Sequence, residues 1–186
     1  MRKLECDIFI LGGGPSGVAA AAGAARCGAS VALAERNYLL GGSATCCLVN
    51  PLQTFHSPAG RVIGGVAQEI VEALVARGAS PGHLPDPVGF ASSVTPVDPD
   101  GMKIFLAQWL HGMGVNLLLG HRLADIDARG GRMRAAVIED APGGAARVEA
   151  KCYIDASGDG AMMHAAGVEM EIDPDCQPMS LIFVMD

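Results

Sequence analysis

The chain has 186 residues, half of them hydrophobic, with 25 glycines, aromatics at only 4% and a net charge of -7. Such a composition makes a globular chain with a core of its own and excludes a disordered one, and the acidic balance argues against a nucleic-acid surface, which needs clustered Lys and Arg. No apolar run reaches the ~20 residues that span a bilayer; the longest candidate, 17–34, is interrupted by Arg26.

The six cysteines show no CxxC spacing, and Cys46 and Cys47 are adjacent, which disfavours a disulfide between them. The five histidines are scattered, with no HxxxH pair. No metal site is expected, and free thiols point to a reducing compartment. Arg2 and Lys3 are followed by glycines where a signal peptide would carry its apolar stretch, so the expected location is cytoplasmic.

Residues 5–11 read as a buried strand, an apolar run closed by glycines. Residues 15–27 read as an Ala-rich helix stopped by Gly28, and 30–34 as a second strand ending at Glu35. Strand, glycine turn, helix and strand in so few residues make a βαβ unit, hence a parallel sheet. A helix is expected over 61–77, where Val62, Val66, Ile70 and Leu74 recur at i+4. The proline-rich stretch 80–99 reads as a long loop, with a short strand around 90–94. Asp98-Pro99 starts the next helix as cap and first residue. A strand follows at 115–119. Then come three alternating strands, 123–128, 132–139 and 146–150, which form a small antiparallel β-meander with Gly130-Gly131 and Gly143-Gly144 turns. A parallel-type strand at 151–155, a short helix at 161–166 and a hydrophobic strand-like run at 179–185 complete the chain.

Three motifs carry chemistry. Gly12-Gly13-Gly14-Pro15-Ser16-Gly17 satisfies GxGxxG between a strand and a helix. Gly12 serves the tight turn, Gly14 the close approach of a pyrophosphate and Gly17 the packing of helix on strand, with the phosphate at the helix N-terminus. Glu35 ends the next strand, where a carboxylate can hold ribose hydroxyls. Glu35-Arg36 followed by Gly41-Gly42-Ser43-Ala44-Thr45, and Asp155-Ala156-Ser157-Gly158-Asp159-Gly160, place further glycines and small residues where backbone can approach a ligand.

With these motifs the chain resembles the FAD-dependent oxidoreductases of the glutathione-reductase-type fold, in particular the group related to fumarate reductase flavoproteins. The resemblance implies an α/β, Rossmann-like FAD-binding fold with FAD as cofactor and a small-molecule substrate. It implies that Gly12, Gly14, Pro15, Ser16, Gly17, Glu35, Arg36, Gly41, Gly42, Ser43, Thr45, Ala156, Ser157, Gly158 and Asp159 bind the cofactor. Leu123 matches a position whose backbone contacts adenine. The resemblance extends to Val49-Asn50-Pro51, Val62-Ile63-Gly64-Gly65 and Gln177-Pro178-Met179-Ser180. Relatives continue into a substrate or cap domain, so residues 1–172 are expected to form the FAD-binding domain, with an insertion over about 50–98 and the meander over about 122–150. Residues 173–186 are expected to begin a truncated second domain whose apolar run invites self-association. No catalytic residue is assigned. Cys46, Cys47, His56 and Arg61 are each weighed for a role in the chemistry against a bland structural one. The alternative function is a dinucleotide-binding module without catalysis; an NAD-dependent dehydrogenase is disfavoured by Gly41-Gly42 and the 155–160 turn.

Overall fold

The computed structural model describes residues 1–171, 175–176 and 179–183. Strand β1 (Arg2–Leu11), helix α1 (Pro15–Arg26) and strand β2 (Val31–Glu35) form the βαβ unit. Ile8 to Leu11 pair in parallel with Val31 to Ala34. These strands are covered on both faces, which explains their continuous rather than alternating hydrophobicity. Ile10, Val31 and Leu33 face α1 through Val18, Ala21 and Ala22. Phe9, Leu11, Ala32 and Ala34 face the other way, against Ile138, Val148 and Met162. Ala21 and Ala22 of α1 are fully buried and let the helix lie close on the sheet.

The chain then leaves the sheet. The two-residue strands β3 (Leu52–Gln53), β4 (His56–Ser57) and β5 (Gly60–Arg61) precede helix α2 (Gly65–Ala76); β6 (Val94–Thr95) and helix α3 (Pro99–Gly112) follow. Strand β3 pairs with β6, and β4 with β5. The expected helix over 61–77 therefore begins later. Gly64 is extended and Gly65 has φ +58°, while the Val62 and Ile63 amides donate to the Phe55 carbonyl and hold that segment against the hairpin. The glycine pair weakens helix formation before Val66, and Arg61 moves from a helix to a strand. Helix α3 starts as expected: the Asp98 carboxylate accepts from the Asp100 and Gly101 amides.

Strands β7 (Asn116–Leu119), β8 (His121–Arg129), β9 (Arg132–Asp140) and β10 (Ala145–Asp155) complete a six-stranded sheet ordered β7-β2-β1-β10-β9-β8. The expected break between a meander strand at 146–150 and a separate strand at 151–155 is absent. With no Gly or Pro between 145 and 155, β10 runs on as one strand. Its first half pairs antiparallel with β9 on one side, and its length pairs parallel with β1 on the other, from Arg2↔Ala146 to Leu11↔Asp155. The meander is thus an extension of the parallel sheet. Helix α4 (Ala161–Ala165) follows.

Of the expected strand-like run at 179–185, residues 179–183 have no regular secondary structure, with Met179, Leu181 and Phe183 exposed. Val184 and Met185, the boundary at residues 172–173, and Gln177-Pro178 lie outside the described residues.

Candidate cofactor site

Because β1, β2 and β10 run parallel, their C-terminal ends, Leu11, Glu35 and Asp155, lie side by side at one edge of the sheet. Ligands of open α/β sheets bind outside that edge. Three loops meet there. Gly12 turns away from β1 with φ +104°, and its amide donates to the Ala34 carbonyl at 2.7 Å. The Ala156 amide donates to the Leu11 carbonyl at 2.8 Å, and the Gly41 amide to the Gly13 carbonyl at 2.8 Å.

The glycines serve different ends. A Cβ on Gly12 would stand 2.3 Å from the Ala156 carbonyl oxygen, and one on Gly17 1.8 Å from the Gly12 oxygen. Both are required by the protein's own packing. Gly14 is not: its φ of -69° and ψ of -177° suit any residue, and its Cβ would meet nothing nearer than the Gly42 Cα at 3.9 Å. The space a side chain would take at Gly14 is open groove, in front of the first turn of α1. No side chain caps that helix, so its first amides are available to an anion.

Two adjoining hollows make the groove, one of about 380 Å³ beside Gly14 and Gly42 and one of about 170 Å³ beside Leu123, both bordered by Gly12, Glu35, Arg36 and Ser157. Gly12, Gly14, Pro15, Ser16, Glu35, Arg36, Gly42, Ser43, Leu123, Ala156, Ser157, Gly158 and Asp159 all line it. Gly17, Gly41 and Thr45 do not. Gly17 packs behind the turn. Gly41, at φ +103°, has no room for a side chain because Thr45 lies against it. Thr45 is buried, its hydroxyl donating to the Leu40 carbonyl at 2.7 Å. These three residues shape the wall of the groove rather than its open surface.

Glu35 is buried, and its carboxylate is already engaged. Oε2 accepts from the Gly13 amide at 2.6 Å; Oε1 accepts from the Asn37 amide and from Asn37 Nδ2, each at 2.8 Å. The acid therefore fixes the glycine turn itself, and Asn37 is its second partner, one that the sequence patterns did not single out. An Asn two positions past a strand-ending acid was its only signal. Asp155 heads the third motif, but its role was not legible there. Its carboxylate accepts from the Ser157 amide and hydroxyl and from the Met162 and Met163 amides. Burial works to raise its pKa, but these four donors prevail and hold it below the ordinary carboxylate value. Asp155 thereby ties the 155–160 turn to α4.

Arg36 and Asp159 face each other across the mouth of the groove at 3.9 Å, both largely exposed. Cys46 and Cys47 are exposed free thiols on the Gly42 side. Among the described residues no cluster of His, Cys, Asp and Glu is arranged to hold a metal ion. No helix is long and apolar enough to cross a membrane among those residues.

A glycine-lined groove at the C-terminal ends of β1, β2 and β10, with the switch in strand order between β1 and β10, an open position at Gly14 and a buried acid close by, defines a dinucleotide-binding α/β protein. The chain belongs to the FAD dependent oxidoreductase family, whose model matches residues 7–186. Its fold is shared with a geranylgeranyl bacteriochlorophyll reductase-like protein from Thermoplasma acidophilum, at 18% identity and a TM-score of 0.61, over 91% of this chain and 44% of that one. It is also shared with Thermovibrio ammonificans THI4, at 23% identity and a TM-score of 0.60, over 89% of this chain and 64% of that one. L-proline dehydrogenase from P. horikoshii matches at 14% identity and a TM-score of 0.62, over 93% of this chain and 58% of its own. The chain thus spans between 44% and 64% of the length of these structures. No curated protein sequence matches it.

Proposed function

We propose that this chain binds FAD along the groove at the ends of β1, β2 and β10, and serves the flavin-dependent oxidation or reduction of a small-molecule substrate. The observation that carries the reading is Gly14, whose missing side chain the protein's own packing does not require and a ligand's approach would. The Ser16 and Gly17 amides would face the pyrophosphate, Glu35 the adenosine ribose, Leu123 the adenine, and Gly42 and Ser43 the ring side. Bound FAD supplies the hydride and electron chemistry; the chain's residues bind and orient it.

A carboxylate has roughly four acceptor positions, and three donors already occupy Glu35. It can therefore offer a ribose about one strong hydrogen bond rather than two. On this reading residues 1–172 are the cofactor-binding unit in a cytoplasmic enzyme, and the exposed apolar residues at 179–183 meet a second domain or another copy of the chain. Titrating the purified chain with FAD, followed by flavin fluorescence and absorbance, tests the reading. Saturable binding lost in Gly14→Val is expected; no binding by the folded chain would overturn it.

A further inference from the structure

The insertion between β2 and α3 builds a second polar site whose residues take no part in the groove. In the β4–β5 hairpin His56 stands directly opposite Arg61. Directly opposed residues present their side chains on one face, with Cβ atoms about 5 Å apart, so the imidazole and the Arg61 side chain leave the hairpin on the same side. His56 is anchored from behind. Its Nδ1 is bonded to the hydroxyl of the buried Ser93 at 2.9 Å. The Ser93 amide donates to the Thr54 hydroxyl, which donates in turn to the His56 carbonyl. Nε2 of His56 has no partner among the described residues.

His83 is the platform beneath. Gln68 Nε2 donates to Glu72, which turns the amide oxygen of Gln68 toward His83 Nε2 at 2.9 Å. That nitrogen must then carry the proton, and His83 Nδ1 accepts from the Thr95 hydroxyl at 2.7 Å. The neutral ring lies edge-on to His56 at 5.0 Å and against Phe55 at 4.6 Å. Burial first, and then the nearby charges of His56 and Arg61, push its pKa below the usual value, against a smaller opposing pull from Glu72.

Arg61 completes the pattern. Arg26, Arg36, Arg122, Arg129 and Arg147 each sit within ion-pair distance of a carboxylate. Arg61, like Arg2, Arg77, Arg132 and Arg134, forms no ion pair among the described residues, and of these it alone stands opposite a histidine in a hairpin. Glu72, the carboxylate that His83 senses, is engaged by Gln68 instead. Two adjacent cationic or donor groups, one anchored from behind and neither neutralised, suit a planar anion with an oxygen for each.

We propose that His56 Nε2 and the Arg61 guanidinium bind the carboxylate of a small organic acid, with Ser93 and His83 as positioning residues. The proposal is independent of FAD binding, because the test reads the site directly in the chain without added flavin. Histidine ring ¹H–¹⁵N spectra of the labelled chain are recorded while sodium acetate is added, with sodium chloride at matched ionic strength and sodium phosphate as the two comparison salts. Acetate should move the His56 Nε2 resonance saturably and leave His164 in place. Arg61→Gln, at an exposed position that the fold does not need, should weaken that response roughly tenfold or more. Ser93→Ala should broaden or shift the His56 signals before any salt is added. A matching response to chloride, a tighter one to phosphate, or an unaltered acetate titration in Arg61→Gln would each overturn the assignment.

Discussion

Replacing Glu35 with Ala separates two roles that the structure gives one side chain. The substitution removes the acceptor for the Gly13 amide, the Asn37 amide and Asn37 Nδ2. Asn37 is exposed, so water can serve both of its donors, but the Gly13 amide is buried against Leu40. One orphaned buried donor costs about 1–3 kcal/mol, and loss of the other charge-assisted bonds adds about 1–2 kcal/mol. A total of roughly 2–5 kcal/mol corresponds to a fall in Tm of about 5–15 °C for a chain of this size. The direct effect on FAD is smaller than full engagement of a ribose would give. With about one acceptor position left, one charge-assisted hydrogen bond is lost, which weakens Kd about 10- to 100-fold. Differential scanning fluorimetry without FAD measures the first effect, and quenching of flavin fluorescence on the folded variant measures the second. An unchanged Tm would refute the anchoring role. An unchanged Kd in a folded Glu35→Ala protein would refute the ribose assignment.

Gly14→Val should leave Tm within a few degrees of the parent, since the side chain enters open space, while abolishing FAD binding; a variant that still takes up FAD would make the turn purely structural. Gly17→Ala should do the reverse and unfold or severely destabilise the chain, because its Cβ has 1.8 Å to the Gly12 oxygen; circular dichroism decides between a folded and an unfolded product. Asp155 titrates lower in the folded chain than when unfolded, so its stabilisation is present above the unfolded value near ~3.9 and is lost as pH falls through the folded value. Asp155→Asn should therefore be less stable at neutral pH and show a flatter acid limb in a Tm-against-pH series, and a parallel acid limb would show that Asp155 contributes nothing. Ending the chain at Ile172 should reduce self-association in sedimentation velocity, since it removes the exposed Met179, Leu181 and Phe183; equal sedimentation of both lengths would remove the case for an apolar contact there.

The βαβ unit, the glycine turn and the position of Glu35 were legible from residue pattern alone. Those features rest on local chemistry: an apolar run closed by glycines, an alanine-rich helix with proline at its first position, and an acid at a strand end. Local signals failed where pairing partners are distant. The continuity of β10 depends on β9 and β1 holding its two edges at once, which no window of sequence contains. The late start of α2 depends on the Phe55 carbonyl capturing the Val62 and Ile63 amides, and that same fold-back sets Arg61 opposite His56. The engagement of Glu35 by Gly13, the burial of Thr45 behind Gly41 and the four donors on Asp155 were likewise invisible, since residue type and spacing do not say which hydrogen-bonding capacity is already used. Tertiary structure alone decided which of the candidate residues face open space and which are committed to holding the turns in place.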